Sequence, residues 1–329
     1  MFLHELVISG RIIKFQRIAI SWTAIISLVM VCACAGIVGA RRQSSDSQSS
    51  QTEKPRATGV ISISQTVLHI SVYDKDGKLV EGLPRDAFHV YEDKVEQKIA
   101  EFDEKDEPLR IGLLVDTSGS VFQQERQTKD SVKRFVQAGN PEDKFFGATF
   151  ADSVTPVATI QELLDSIDAR GSTKMKDALY FGLVELEDTR NFRKALLIIS
   201  DGGDNSSRHS QADLLKLVRE AGVPIYALAG RDSRVTREQV AAGAHFLDEL
   251  CRMSGGRFVN VKELTEMPEL AAEIGTELRK QYMLGYYPSS GIQGPNDVRW
   301  RKLEVKVQAG GARGPLKVVA PEGYIATTR

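Results

Sequence analysis

The chain has 329 residues, a formal net charge of −1, 42% hydrophobic residues and 26% charged residues. This length suits one large domain or two ordinary ones with extensions, in a globular composition. The near-neutral balance excludes the bulk basicity of a nucleic-acid binder. The three cysteines, Cys32, Cys34 and Cys251, leave no zinc-ligand spacing and no disulfide framework for the folded part.

Arg11, Lys14 and Arg17 precede an uncharged run over 18–40, which Arg41 and Arg42 close. The run is long enough to span a bilayer, which needs about 20 residues, and it also has the outline of an export signal. Three fates compete. The chain is cleaved after Val38-Gly39-Ala40, the run stays as an anchor, or Cys34 in Val31-Cys32-Ala33-Cys34 is acylated. Cys32 departs from the usual lipoprotein pattern. Each fate carries the rest of the chain across a membrane. Residues 1–40 are therefore expected to be a signal peptide or membrane anchor, with the protein in the periplasm, the cell envelope or outside the cell. Ser/Gln-rich 43–58 has no apolar period, so 41–58 is expected to be a disordered linker.

Residues 59–107 tend to alternate apolar with polar. A strand is predicted over 66–73, with Leu68, Ile70 and Val72 on one face. A tight turn centred on Asp76-Gly77 follows, then strands over 88–93 and 97–102. This is a small β-rich module. From 108 the pattern changes. The apolar run 111–115 reads as a buried strand opening into a loop. Helices are predicted over 124–138, 175–186, 211–221, 247–253 and 270–281, and strands over 144–150, 194–200, 223–228 and 257–261. Such alternation predicts an α/β fold over 108–281, a Rossmann-like, doubly wound, mostly parallel sheet. Cys251 lies in a helical apolar period and is expected to be a packing residue rather than a reactive thiol. Strands then return over 282–287, 301–307, 316–320 and 324–326 with no helices to cover them. Residues 282–329 are expected to pack with 59–107 in one β module flanking the α/β domain.

The loop after 111–115 reads Asp116-Thr117-Ser118-Gly119-Ser120. It offers one carboxylate and two hydroxyls at alternate positions, hard oxygen donors of the kind Mg2+ or Ca2+ prefers. They cannot fill the roughly six positions of a Mg2+ shell. Thr173 precedes a predicted helix, and Asp201 ends the strand over 194–200. If the strands over 111–115 and 194–200 are parallel neighbours, Asp116 and Asp201 share one sheet edge, where open α/β sheets bind ligands. Two carboxylates that close repel unless a cation lies between them. Each piece alone has a plainer account: turn chemistry for Asp116–Ser120 and for Asp201-Gly202, a helix cap for Thr173 with Ser172. Asp204 and Asp177 are weaker candidates, and His209 is expected to be solvated.

These residues resemble the metal-ion-dependent adhesion site of von Willebrand factor A domains, which pairs Asp-x-Ser-x-Ser with a threonine and a later aspartate. Asp116, Ser118, Ser120, Thr173 and Asp201 match all five positions. Leu113–Ser120, the preceding β module and Leu284-Gly285-Tyr286-Tyr287-Pro288 resemble the exported VWFA-related Acidobacterial domain family. The resemblance implies a domain that binds Mg2+, with Mn2+ or Ca2+ as substitutes. It also implies a protein partner that offers an acidic residue to the ion. The two aspartates would act partly through water, and the three hydroxyls would complete the shell. Two other functions compete, a metal-dependent hydrolase and a structural envelope protein with an inactive site. No Gly-x-Ser-x-Gly and no phosphate-binding Gly-x-x-x-x-Gly-Lys is present, so a non-enzymatic role is expected.

Overall fold

The computed structural model describes residues 65–187, 193–230, 237–290, 299–308 and 314–325. The expected leader or anchor and the linker lie outside them. Among the described residues no helix is long and apolar enough to cross a membrane.

The first strands are β1 (Thr66–Tyr73), β2 (Phe88–Glu92), β3 (Val95–Gln97) and β4 (Ile99–Asp103). The turn after β1 is built by Asp74, whose Oδ1 accepts from the amides of Asp76 and Lys78, with Gly77 at a φ of +76°. The strand expected over 97–102 is β4, starting at Ile99, and a further short strand, β3, ends at Gln97 just before it. β3 pairs with β2, whereas β4 pairs in another sheet. Gln97 and Ile99 are both buried around exposed Lys98, so the chain crosses between sheets there. The Gln97 amide anchors the crossing by donating to Val95 O and Ser289 Oγ.

The α/β region runs β5 (Leu109–Asp116), α1 (Glu125–Ala138), β6 (Lys144–Phe150), β7 (Val154–Val157), α2 (Ile160–Asp165), α3 (Met175–Glu187), β8 (Arg193–Ile199), α4 (Gln211–Ala221), β9 (Ile225–Ala229), α5 (Arg237–Ser254), β10 (Phe258–Asn260) and α6 (Met267–Arg279). The sheet order is β10-β9-β8-β5-β6-β7, parallel except for β7 at one edge. β7 and α2 escape sequence periodicity because each is under seven residues long. α5 begins ten residues before the expected 247, and Gly243 interrupts its apolar stripe.

Alternation along β5 divides the core. Ile111, Leu113 and Val115 pack with Phe135 of α1 and Ile274 of α6 on one face. Leu114 packs with Leu179 and Leu183 of α3 and Leu250 of α5 on the other. Each such fully buried aliphatic side chain contributes about 1.5–3 kcal/mol. The chain leaves β5 for β6 on one side and returns to β8 on the other. That reversal opens a crevice at the carboxyl ends of β5 and β8.

The last strands are β11 (Tyr282–Tyr286), β12 (Trp300–Val307), β13 (Lys317–Val319) and β14 (Gly323–Ile325). Two four-stranded sheets result, ordered β13-β1-β11-β4 and β14-β12-β2-β3. They share one apolar core that includes Ile70, Phe88, Val90, Tyr282, Leu284 and Leu303.

Candidate metal centre

β5 and β8 are parallel neighbours with Val115 opposite Ile199, so the next residues of both strands emerge at one edge. Asp116 ends β5, and Ser200-Asp201 follow β8. Asp116, Ser118, Thr173 and Asp201 are all buried, and Ser120 is half-buried.

The loops are fastened by backbone. Arg170 N donates to Thr117 O at 2.7 Å, and Gly119 N donates to Gly171 O at 3.1 Å. These bonds bring the segment carrying Thr173 beside Asp116–Ser120. Gly171 has a φ of +83°, and an added Cβ there would strike the Asp152 carboxylate. Asp152 Oδ1 in turn accepts from Ser172 N at 2.8 Å. Gly202 has a φ of +86°, and a Cβ would come within 2.8 Å of the Gly243 backbone on α5. Glycine is therefore required at 202 both by conformation and by the close approach of the helix. A Cβ on Gly203 would lie 3.0 Å from Asp201 Oδ1 and 3.9 Å from Thr173 Oγ1, so those two oxygens flank one point.

The plainer accounts of these residues explain only part of the geometry. Ser118 N donates to Asp116 Oδ1 and Gly203 N to Asp201 Oδ1, each at 2.8 Å, so both aspartates do build turns. Ser200 Oγ donates to Asp116 Oδ2 at 2.6 Å. Asp201 Oδ2 is buried and accepts nothing. Ser118 precedes the 3-10 turn Gly119–Gln124, yet its hydroxyl makes no cap bond and lies 3.0 Å from Ser120 Oγ. Thr173 does not cap α3. The free amides of that helix go elsewhere, Lys176 N to Asp204 Oδ2 at 2.8 Å and Asp177 N to Ser207 Oγ at 3.2 Å. Thr173 is held by its backbone, with N donating to Asn205 Oδ1 and O accepting from Asn205 N and Ser206 N.

Asp204 and Asp177 have other duties. Asp204 pairs with Lys176 Nζ at 3.1 Å. Asp177 accepts from the amides of Arg208 and His209 and from His209 Nδ1, which is 2.8 Å away. The His209 ring stacks on Tyr180 at 3.9 Å, so it is a packed clamp rather than a free solvated ring. Sequence analysis missed Ser200, Asn205 and Asp152. Their one signal was position, at or just past the carboxyl ends of strands. Cys251 is buried in the core of the α/β region, and burial pushes its thiol up.

Burial, reinforced by the adjacent Asp201 carboxylate, pushes the Asp116 carboxyl up to about 7, against the pull of hydrogen bonds from Ser118 and Ser200. No basic side chain forms an ion pair with either aspartate among the described residues. Nor do three or more His, Cys, Asp or Glu cluster anywhere among them. The donor set is two carboxylates and three hydroxyls, suited to a hard divalent cation. The orphaned Asp201 Oδ2 is the atom such an ion would satisfy.

A mostly parallel α/β sheet with ligand-type oxygens at its switch point defines a Rossmann-like class of domain. Residues 111–273 carry a von Willebrand factor type A domain. No curated protein matches the chain in sequence. Among solved structures, an aerotolerance-related membrane protein from Bacteroides fragilis, mutated at several positions to serine, is 15% identical. That match has a TM-score of 0.41 and covers 52% of this chain and 98% of that one. A von Willebrand factor type A protein from Catenulispora acidiphila is 11% identical, with a TM-score of 0.45 and coverage of 71% and 72%. Proximal thread matrix protein 1 from the mussel byssus, with a zinc-occupied MIDAS motif, is 18% identical. Its TM-score is 0.41, with coverage of 53% and 48%.

Proposed function

We propose that this chain is an exported or membrane-anchored protein that binds a protein partner through a divalent cation held by Asp116, Ser118, Ser120, Thr173 and Asp201. Domains of the von Willebrand factor type A class commonly mediate metal-dependent protein–protein interaction. The observation that carries the proposal is Asp201 Oδ2, a buried carboxylate oxygen without a donor beside a second buried carboxylate. A bound divalent ion offset by only two carboxylates stays electrophilic toward a third anion, and an acidic residue of the partner supplies it. Mg2+ is the proposed ion, with Mn2+ or Ca2+ as substitutes.

Phe122 stands on the same 3-10 turn as Ser120 and is 58% exposed. It offers the partner an apolar contact next to the ionic one. Around this domain, at 108–281, we assign 1–40 to a signal peptide or anchor, 41–58 to a linker, and 59–107 with 282–329 to a β module. From about residue 65 onward this organisation resembles that of the VWFA-related Acidobacterial domain proteins. A binding role is favoured over a hydrolytic one because the hydrogen bonds of Asp116 and Asp201 come from serine hydroxyls and backbone amides. Among the described residues no histidine bonds to either aspartate.

Calorimetric titration of the full chain with Mg2+ tests the metal step, and capture of envelope proteins with and without EDTA tests the partner step. Wild type should bind the ion and capture a partner only when the ion is present. Asp201→Ala should lose both. Partner capture that survives EDTA sinks the proposal.

A further inference from the structure

A cavity of about 570 Å3 lies at the end of the central sheet opposite the aspartates. Arg193 opens β8 and Pro224 precedes β9, and both residues line it. Other walls come from the start of β1, the end of α4, and β12 and β14. The volume is that of a small-molecule site.

The charge of the walls is one-sided. His69, Arg193, Lys194 and Arg219 line the cavity, and among the described residues no aspartate or glutamate does. Arg193 is half-buried. Its Nη2 donates to Gln281 Oε1 at 2.7 Å and to Leu278 O at 3.3 Å, both uncharged. Its Nε is closed to solvent with no acceptor. His69 Nδ1 is likewise buried without a partner, and burial together with Arg193 pushes that ring down to about 3, so it is neutral near pH 7. Arg219 is exposed at the rim, its guanidinium 5.8 Å from the Trp300 ring.

The carboxylates of Glu107, Asp106 and Asp143 act on Arg193 without forming an ion pair with it among the described residues, and burial outweighs them, holding the guanidinium below its ordinary value. A guanidinium drawn out of water with its charge only partly balanced is costly, and an unfilled donor beside it adds to the cost. An anion removes both penalties at once. A guanidinium also matches the geometry of carboxylate and phosphate oxygens.

We propose that this cavity binds the oxyanion of a small carboxylate or phosphate ligand. Arg193 is its ion-pair partner, His69 its neutral hydrogen-bonding neighbour, and Arg219 the second charge at the mouth. The site is separate from the metal centre and independent of it.

Titration calorimetry on the full chain in EDTA, with succinate in one series and inorganic phosphate in another, tests this and separates the two ligand classes. At least one anion should bind one-to-one with a dissociation constant below about 1 mM. Arg193→Gln should weaken it at least about tenfold. Arg219→Gln changes an exposed side chain and keeps the test sound if the Arg193 variant misfolds. It should weaken binding several-fold. Asp201→Ala should bind the anion as wild type does. Absence of binding by both anions overturns the proposal, and so does wild-type affinity in Arg219→Gln or in a folded Arg193→Gln.

Discussion

Glu92 and Asp201 are both buried carboxylates, 2% and 4% exposed, and the chain treats them in opposite ways. Glu92 Oε1 accepts from Arg301 Nη1 at 2.8 Å and Ser290 Oγ at 3.0 Å, and Oε2 accepts from the hydroxyls of Tyr286 and Tyr324 at 2.8 Å each. A cation from the chain itself neutralises that charge. Asp201 has one amide donor, a neighbouring aspartate and an oxygen with no donor. Where a buried charge serves only the architecture, the fold supplies its counter-charge. Where the fold leaves it out, the counter-charge is assigned to a ligand. Arg193 is a milder case with the sign reversed, since Glu107, Asp106 and Asp143 offset its burial only in part.

The largest expected effect falls on the satisfied side of this contrast. Glu92→Gln takes the Glu92 charge away from the buried Arg301 guanidinium, and breaking such a pair costs about 3–5 kcal/mol. Urea unfolding at neutral pH measures it. A loss below about 1 kcal/mol would show that the β strands do not depend on the pair. The next effect falls on the other side. Mg2+ at a hundred times its dissociation constant should stabilise wild type by about 2.7 kcal/mol. Asp201→Ala should abolish that increment, and Glu92→Gln should keep it. In EDTA, Asp201→Ala should cost little, because the lost bond from Gly203 N to Oδ1 is offset by removal of the unsatisfied Oδ2 and of a charge that repels Asp116. A cost above about 2 kcal/mol there would make Asp201 a structural residue like Glu92.

Much of this contrast was written locally in the chain, and some was not. The runs over 111–115 and 194–200 announce buried strands, and parallel pairing alone brings Asp116 and Asp201 to one edge. The Asp-x-Ser-x-Ser spacing marks that edge. What holds the edge in shape was hidden, because it depends on contacts between distant residues. Ser200 reaches Asp116 across 84 positions, and Asp204 and Ser207 cap a helix some 30 positions earlier in the chain. The satisfied cluster was less visible still. Glu92 meets Tyr286, Arg301 and Tyr324 from separate strands, each some 200 positions away. No local period encodes such a meeting, and Glu92 in sequence looks like any polar residue at a strand end.

The smallest effect tests whether the Glu92 cluster acts through charge. Burial pushes Glu92 up, but the hydrogen bonds from Tyr324, Tyr286, Arg301 and Ser290 outweigh it and hold the carboxyl below its ordinary value. A depressed folded value means the cluster stabilises the fold above the unfolded glutamate pKa, near 4.3. That stabilisation disappears as pH falls through the lower folded value. Tyr324→Phe removes one donor to the ionised oxygen and should cost about 1.5 kcal/mol at pH 7. The gap between wild type and variant should narrow as Glu92 takes up a proton in acid. Urea unfolding of both proteins from pH 7 downward follows it. A gap that stays constant through acid would mean the hydroxyl does not act on the ionised carboxylate, and Glu92 could no longer stand as the charge-satisfied counterpart of Asp201.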